Sequence, residues 1–140
     1  MFATYLLVMV IGLGVCLAIA LTRRGKVTSI AFGSRVAQID TPLGPDAVFA
    51  RLANGVSEFT LEDSDASTHT LLLSTTLTFA TWGFFYPITI APNPSGGSTV
   101  RIGIRSKVFQ WGPLVTKWHR KCQTEIEGAL GGELPAARVV

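Results

Sequence analysis

Two histidines, two cysteines and nine carboxylates are the side chains able to carry acid–base, nucleophilic or metal chemistry in this sequence. His119, Cys122 and Glu125 follow one another at helical spacing, which would place two ligands on one face of a helix. A closed zinc site takes four ligands, and the Cys-x-x-Cys or His-x-x-x-His pairs that supply them are absent. A Cys–His nucleophile also needs a third group to orient its base, and nothing specifies one. His69 opens a strand, apart from any other good ligand. Glu58, Glu62, Asp63 and Asp65 gather around one turn. Paired carboxylates divide acid and base roles only where their environments differ, and a wet turn treats them alike. Gly96-Gly97 lacks the lysine and the following helix of a phosphate-cradling loop. The reading is a non-enzymatic chain with no cofactor and no metal.

The aromatic run Trp82, Phe84, Phe85 and Tyr86 is more informative. Consecutive residues of a strand point to opposite faces, so these rings cannot all enter one core. Core packing across a bend is one outcome. A ligand or partner surface, with Trp118 from the C-terminal helix, is the other.

The element that must position all of this is the stretch Phe2 to Thr22, which contains no charged residue and no His, Asn, Gln or Pro. About 20 apolar residues cross a bilayer as a helix, which satisfies its own backbone. Arg23, Arg24 and Lys26 follow directly, so the N-terminus is expected outside and the remainder in the cytoplasm. The same three cations would meet anionic lipid headgroups. A cleaved signal peptide, with Ala18-Ile19-Ala20 as its site, would need a basic n-region that is missing. A lipoprotein site at Cys16 would have Val15 where a small residue belongs. Within the span, Gly12, Cys16 and Ala20 recur every four residues, and Gly14 and Ala18 form a second row. Small residues at that spacing let a second helix approach closely, so they are expected to dock on a larger integral membrane protein or on a copy of the chain.

Net charge is +3, pI about 9.2 and mean hydropathy +0.41. Three of the cations are the juxtamembrane cluster, so the rest is near neutral and gives no nucleic-acid footprint. Cys16 in the span and Cys122 in the domain are not placed to pair, which fits a reducing compartment.

Behind the span, roughly 110 residues suffice for one domain. The reading divides the chain into a span and basic flank (1–25), a membrane-proximal connector (26–34), a cytoplasmic α+β domain (35–131) and a flexible tail (132–140). Val27, Ile30 and Phe32 give the connector extended character. A strand runs from Arg35 to Asp40, then a short helix from Leu43 to Asn54, with Pro45 and Asp46 in its first turn. Val56 to Glu62 reads as a strand and Asp63-Ser64-Asp65 as a turn. Ser67 to Thr81 alternates Leu71, Leu73, Leu77 and Phe79 against Thr70, Ser74, Thr76 and Thr78. After a bend at Trp82-Gly83, Phe84 to Ala91 resumes as strand. Pro92 to Gly97 turns the chain, and Thr99 to Lys107 completes a hairpin. Pro113 to Leu130 is a long helix ended by Gly131-Gly132. Its apolar stripe is Leu114, Val115, Trp118, Cys122, Ile126 and Leu130, and Lys121 and Glu125 are spaced for an intrahelical pair.

The stretch VAQIDTPLGPDAVFARLAN resembles the opening of START-like (SRPBCC, helix-grip) domains, where a strand leads through a proline turn into a helix. WGPLVTKWHRKCQTEIEGAL resembles that family's terminal helix, which lies across the curved sheet. The resemblance covers 35–130 and implies an antiparallel sheet packed against a long C-terminal helix. The chain has room for fewer strands, so a reduced version is expected, in which the family's cavity is closed. A cavity lined by Leu71, Leu73, Phe79, Ile102, Trp118 and Cys122 would favour a membrane-tethered lipid-binding domain. A filled core would favour an accessory subunit bracing or regulating a larger membrane complex. In style the chain resembles the small single-pass proteins that accompany actinobacterial envelope transporters, including the MCE lipid importers.

Overall fold

The computed structural model describes residues 1–28, 31–78, 81–109 and 112–131, and the backbone of 138–139. Helix α1 (Phe2–Thr22) is continuous and long and apolar enough to cross a membrane. It is exposed along nearly its whole length, and Ala20 in the last turn is its buried residue. There follow β1 (Val36–Thr41), α2 (Pro45–Ala53), β2 (Thr60–Asp65), β3 (Thr70–Ser74), β4 (Phe84–Pro92), β5 (Ser98–Gly103), β6 (Arg105–Ser106), α3 (Pro113–Ala129) and β7 (Arg138–Val139). The fold is α+β.

The strands form one antiparallel sheet in the order β2-β3-β4-β5-β1-β7. β6 continues β5 along β4 in unchanged register, from Ile88↔Ile102 to Phe85↔Arg105. The break between them faces Pro87, which has no N–H for the ladder. On the inner face, Ala37, Ile39, Leu71, Leu73, Phe84, Tyr86, Ile88, Ile90, Val100, Ile102 and Ile104 form one core with Val48 and Leu52 of α2 and Cys122 and Ile126 of α3. α2 starts as its sequence dictates, from an extended Gly44 into Pro45 at the first turn with Asp46 beside the positive end. Arg51 Nη1 donates to the Leu130 carbonyl at 3.3 Å, tying α2 to the end of α3.

Four expectations are corrected. Asp63-Ser64-Asp65 is not a turn: it is the second half of β2, paired with Thr70 to Leu72 after a register shift between Leu61 and Asp63. Pairing at a sheet edge overrides the weak strand preference of Asp and Ser. The turn lies one step later, where the Asp65 carboxylate accepts from the N–H and hydroxyl of Ser67. Second, the ladder of the following strand is Thr70–Ser74 only, shorter than the alternation implied. Third, Lys121 pairs with Glu58 across the domain rather than with Glu125 along the helix. Fourth, Val56 to Phe59 is not strand: the two meet in an isolated bridge around Ser57, whose φ is +32, and β2 begins at Thr60. The chain before β1 packs on the domain. Gly25 is buried, and the Val27 N–H donates to Asp63 at 2.9 Å. Phe32 lies so close over Gly103 that a Cβ there would stand 2.9 Å from its ring. Of the tail, Arg138–Val139 pair with Ala37 and Gln38 of β1. Ile30, Phe79 and Gly132 lie outside the described residues.

The β4–β5 turn depends on close approach. The Asn93 side chain accepts from the Ser95 and Gly97 N–H groups at 3.1 Å. A Cβ on Gly97 would sit 1.9 Å from the Thr41 carbonyl oxygen, which is backbone and cannot move aside cheaply. Gly97→Ala should therefore destabilise by about 3 kcal/mol in a denaturation titration. Gly96 has φ +91 but open space around it, so Gly96→Ala should cost about 1 kcal/mol. Equal losses would mean that the packing of the turn on β1 is not what holds it.

Candidate functional site

Both histidines have structural partners. His119 turns from α3 onto β5, where its Nε2–H donates to the Ile102 carbonyl at 2.9 Å. Burial lowers its pKa, the carbonyl bond opposes that fall, and Arg35 adds to it. The result is a neutral core histidine. Cys122 is fully buried, and burial, then Glu125, push its thiol up, the reverse of what a nucleophile needs. His69 Nε2 meets the Asp46 carboxylate at 2.6 Å and its ring stands edge-on to Phe49. Ser67 hydrogen bonds lower the Asp65 pKa. Among the described residues, no three His, Cys, Asp or Glu side chains gather closely enough to hold a metal ion.

The aromatic run divides by strand alternation. Phe84 and Tyr86 enter the core, and Phe85 points to the outer face of the sheet. All three are at most 1% exposed, so they do not form the surface that was one expectation for them. Two buried faces take them instead of one. Trp82 is half-buried at the bend. Trp118 is half-buried, 6.4 Å from Phe84 between ring centroids, with the Lys121 ammonium 5.0 Å from its own. Tyr86 packs edge-on to Phe59 at 5.1 Å, and its buried hydroxyl has no hydrogen-bond partner of ordinary geometry. Burial, with Cys122 adding, raises its pKa far above the usual phenol value, and Thr75 offsets part of that.

What covers Phe85 is the foot of α1. Arg23 Nη1 donates to the Lys107 carbonyl at 2.6 Å, and its guanidinium lies 5.9 Å from the Phe85 ring centroid. The Lys107 ammonium lies 5.1 Å from the same centroid. Lys107 is 5% exposed; burial lowers its pKa and the charge of Glu62 offsets part of the fall. Glu62 accepts from the Ser74 hydroxyl, and Asp63 holds the Val27 N–H. The three cations expected at the membrane surface, Arg23, Arg24 and Lys26, are all exposed, and Arg23 also reaches the domain through Lys107. Of the small-residue rows, Ala20 is taken up at this junction, Cys16 is half-buried and Ala18 exposed. A Cβ added at Gly12 or Gly14 would meet nothing within 4 Å. Sequence reasoning passed over Lys107 and read Glu62 and Asp63 only as part of a wet turn, because pairing of distant strands is what brings the three to α1.

Hollows open on the surface of the described residues, three of them relevant here. One of about 460 Å³ lies beside Arg35, Ile104, Phe109 and Val115. One of about 560 Å³ runs along Thr116, Arg120 and Thr124 of α3. The third, of about 570 Å³, is the groove at the foot of α1, bounded by Leu21, Arg24, Glu62, Asp63 and Lys107. None is lined by Leu71, Leu73, Ile102 or Cys122, which are fully buried in the core that Trp118 flanks.

No family model and no curated protein matches the chain. Solved structures do resemble it. That of Ara h 8.0201 matches with a TM-score of 0.54 at 12% identity, over 69% of this chain and 93% of that one. Its fold is Bet v 1-like, of the START/SRPBCC type, and the likeness is one of fold.

The buried imidazole gives a pH dependence. Its folded pKa lies below the unfolded value of 6.5. The unfolded chain therefore takes up the proton first as pH falls, and stability declines on acidification below about 6.5. Denaturation midpoints at pH 7.5 and 5.5 should differ in that sense, and His119→Gln, which keeps a donor for Ile102, should narrow the gap. Equal midpoints for the unsubstituted chain would mean that His119 titrates alike in both states.

Proposed function

We propose that the chain is a single-pass membrane protein whose START-like domain serves as a non-enzymatic accessory subunit of a larger membrane complex, of the lipid-transporter kind. The observation that carries this reading is the mount at the foot of α1. Ala20 and Gly25 are buried, Arg23 is bonded to Lys107, and Val27 is bonded to Asp63. A domain fixed to its span at one angle suits bracing or regulating a neighbour. A domain on a loose tether suits reaching for a ligand. Phe109 supports the placement: outside α1 it is the large hydrophobic residue left exposed among the described residues, two positions from Lys107. It would meet the interface of the same bilayer. The basic flank orients the domain to the cytoplasm, where Arg24 and Lys26 face anionic headgroups.

Two measurements test it. A cysteine introduced at Ser95, in the exposed β4–β5 turn, should resist an impermeant thiol reagent in intact cells. Efficient labelling would reverse the topology. Gly12→Leu keeps the span apolar but fills the open row, so membrane insertion should survive while co-purification of the partner complex in mild detergent falls at least tenfold. An unchanged yield of the same partner would remove the helix row from the interface.

A second reading, a domain that holds a hydrophobic ligand, is favoured by one atom, the buried Tyr86 hydroxyl, which lacks a hydrogen bond of ordinary geometry. The fold likeness supports it. Lipid extraction and mass spectrometry of the purified chain would show a stoichiometric ligand, lost on Tyr86→Phe, if this reading holds.

A further inference from the structure

The groove at the foot of α1 carries both signs of charge. Arg24 and Lys107 stand on it with Arg23 and Lys26, and Glu62 and Asp63 of β2 stand with them. Most of these have work within the fold: Arg23 holds the Lys107 carbonyl, and Asp63 holds the Val27 N–H. Lys107 differs. It is 5% exposed, its ammonium rests on the Phe85 ring, and among the described residues no carboxylate or carbonyl accepts a hydrogen bond from it. The Glu62 charge offsets part of the cost of its burial, and an anion in the groove would offset more.

A simple anion would meet the carboxylates of Glu62 and Asp63 in the same groove, and like charges there would oppose it. A ligand bearing both an anion and a primary ammonium meets both sets. The groove's volume of about 570 Å³ has room for a small headgroup. Its upper wall is Ala20 and Leu21, the last apolar residues of α1, so a chain attached to the ligand would run up the helix.

We infer that this groove is a binding site for a phosphoethanolamine headgroup, with the phosphate between Arg24 and Lys107 and the ammonium on Glu62. Ammonium offers three N–H donors to the carboxylate, and the quaternary group of choline offers none, so the site discriminates between the two. The lipid source of the headgroup rests on the reading of α1 as a membrane span.

The test is native mass spectrometry of the full chain, delipidated in mild non-ionic detergent and offered dioleoyl phosphatidylethanolamine, phosphatidylcholine and phosphatidylglycerol. Phosphatidylethanolamine should be retained at least tenfold over the other two. Lys107→Met keeps the stem on Phe85 and removes the charge; Glu62→Gln keeps an acceptor for Ser74. Each should lower retention about tenfold with the melting temperature within a few degrees of the parent chain. A variant that melts much earlier is replaced by Arg24→Gln, an exposed position outside the packed junction, with the same expected loss. Equal retention of all three lipids would overturn the site, and preference for phosphatidylglycerol would reduce it to net charge. Displacement by equimolar glycerophosphoethanolamine would overturn the lipid source. Alkaline extraction of membranes separates the two readings. A chain released by alkali fails as a membrane span, whereas a retained chain without headgroup preference fails only as this site.

Discussion

Phe85 is the constraint from which the rest of the architecture follows. β4 carries Phe84, Phe85 and Tyr86 in succession, and a strand must send the middle ring to the opposite face from its neighbours. The inner face has two helices to cover it. The outer face of an antiparallel sheet is ordinarily left to water. Here Leu72 and Phe85 lie on it, each at most 1% exposed, so a further layer is obligatory. The chain supplies that layer from the segment directly behind α1. Fully burying a Phe side chain is worth about 1.5–3 kcal/mol. Each cation over its ring adds about 0.5–2 kcal/mol, the more so where water is excluded. An apolar helix is thereby joined to a polar domain without a free linker.

The same junction changes what the basic flank can do. Three adjacent cations after a span read as a uniform membrane-surface cluster. In the structure they are unequal, because Arg23, though exposed like Arg24, is also bonded to the Lys107 carbonyl and lies over Phe85. Lys107 enters from the far end of the β5–β6 strand. It brings a charge that no local pattern associates with the span, and burial weakens its hold on the proton. The cations and the two β2 carboxylates are thus held in one groove by sheet pairing, and their positions relative to α1 are fixed together.

Much of the fold was legible in the sequence because it rests on local periodicity. The uninterrupted apolar run gave α1, Gly112-Pro113 and the three-four stripe gave α3, and the Pro92 to Gly97 turn set the β4–β5 hairpin. Alternation placed Leu71 and Leu73 on the core side. Failures came where a partner distant in the chain decides. β2 is a strand because β3 is beside it, despite Asp63, Ser64 and Asp65. Lys121 reaches Glu58 because α3 lies over that loop. Phe32 and Val27 read as connector residues because nothing local reveals that an apolar outer face awaits them. The groove at the foot of α1 was illegible for the same reason.

If α1 spans a membrane and docks on a partner helix, as proposed, the junction also limits how the two can meet. Ala20 is covered by the chain's own domain, so close approach along the small-residue rows is confined to Gly12 through Ala18. That is about 9 Å of helix at 1.5 Å per residue, or less than two turns. Close contact over so short a length suits two helices that cross at an angle rather than run parallel along the whole span. The domain sits at one end of α1 in a fixed orientation, so a helix crossing near Gly12 must leave that end on the side away from Ala20 and Arg23. The packing that hides Phe85 would therefore also select which side of α1 is open to a neighbour. A longer linker would have left the whole row from Gly12 to Ala20 available and the domain free to turn.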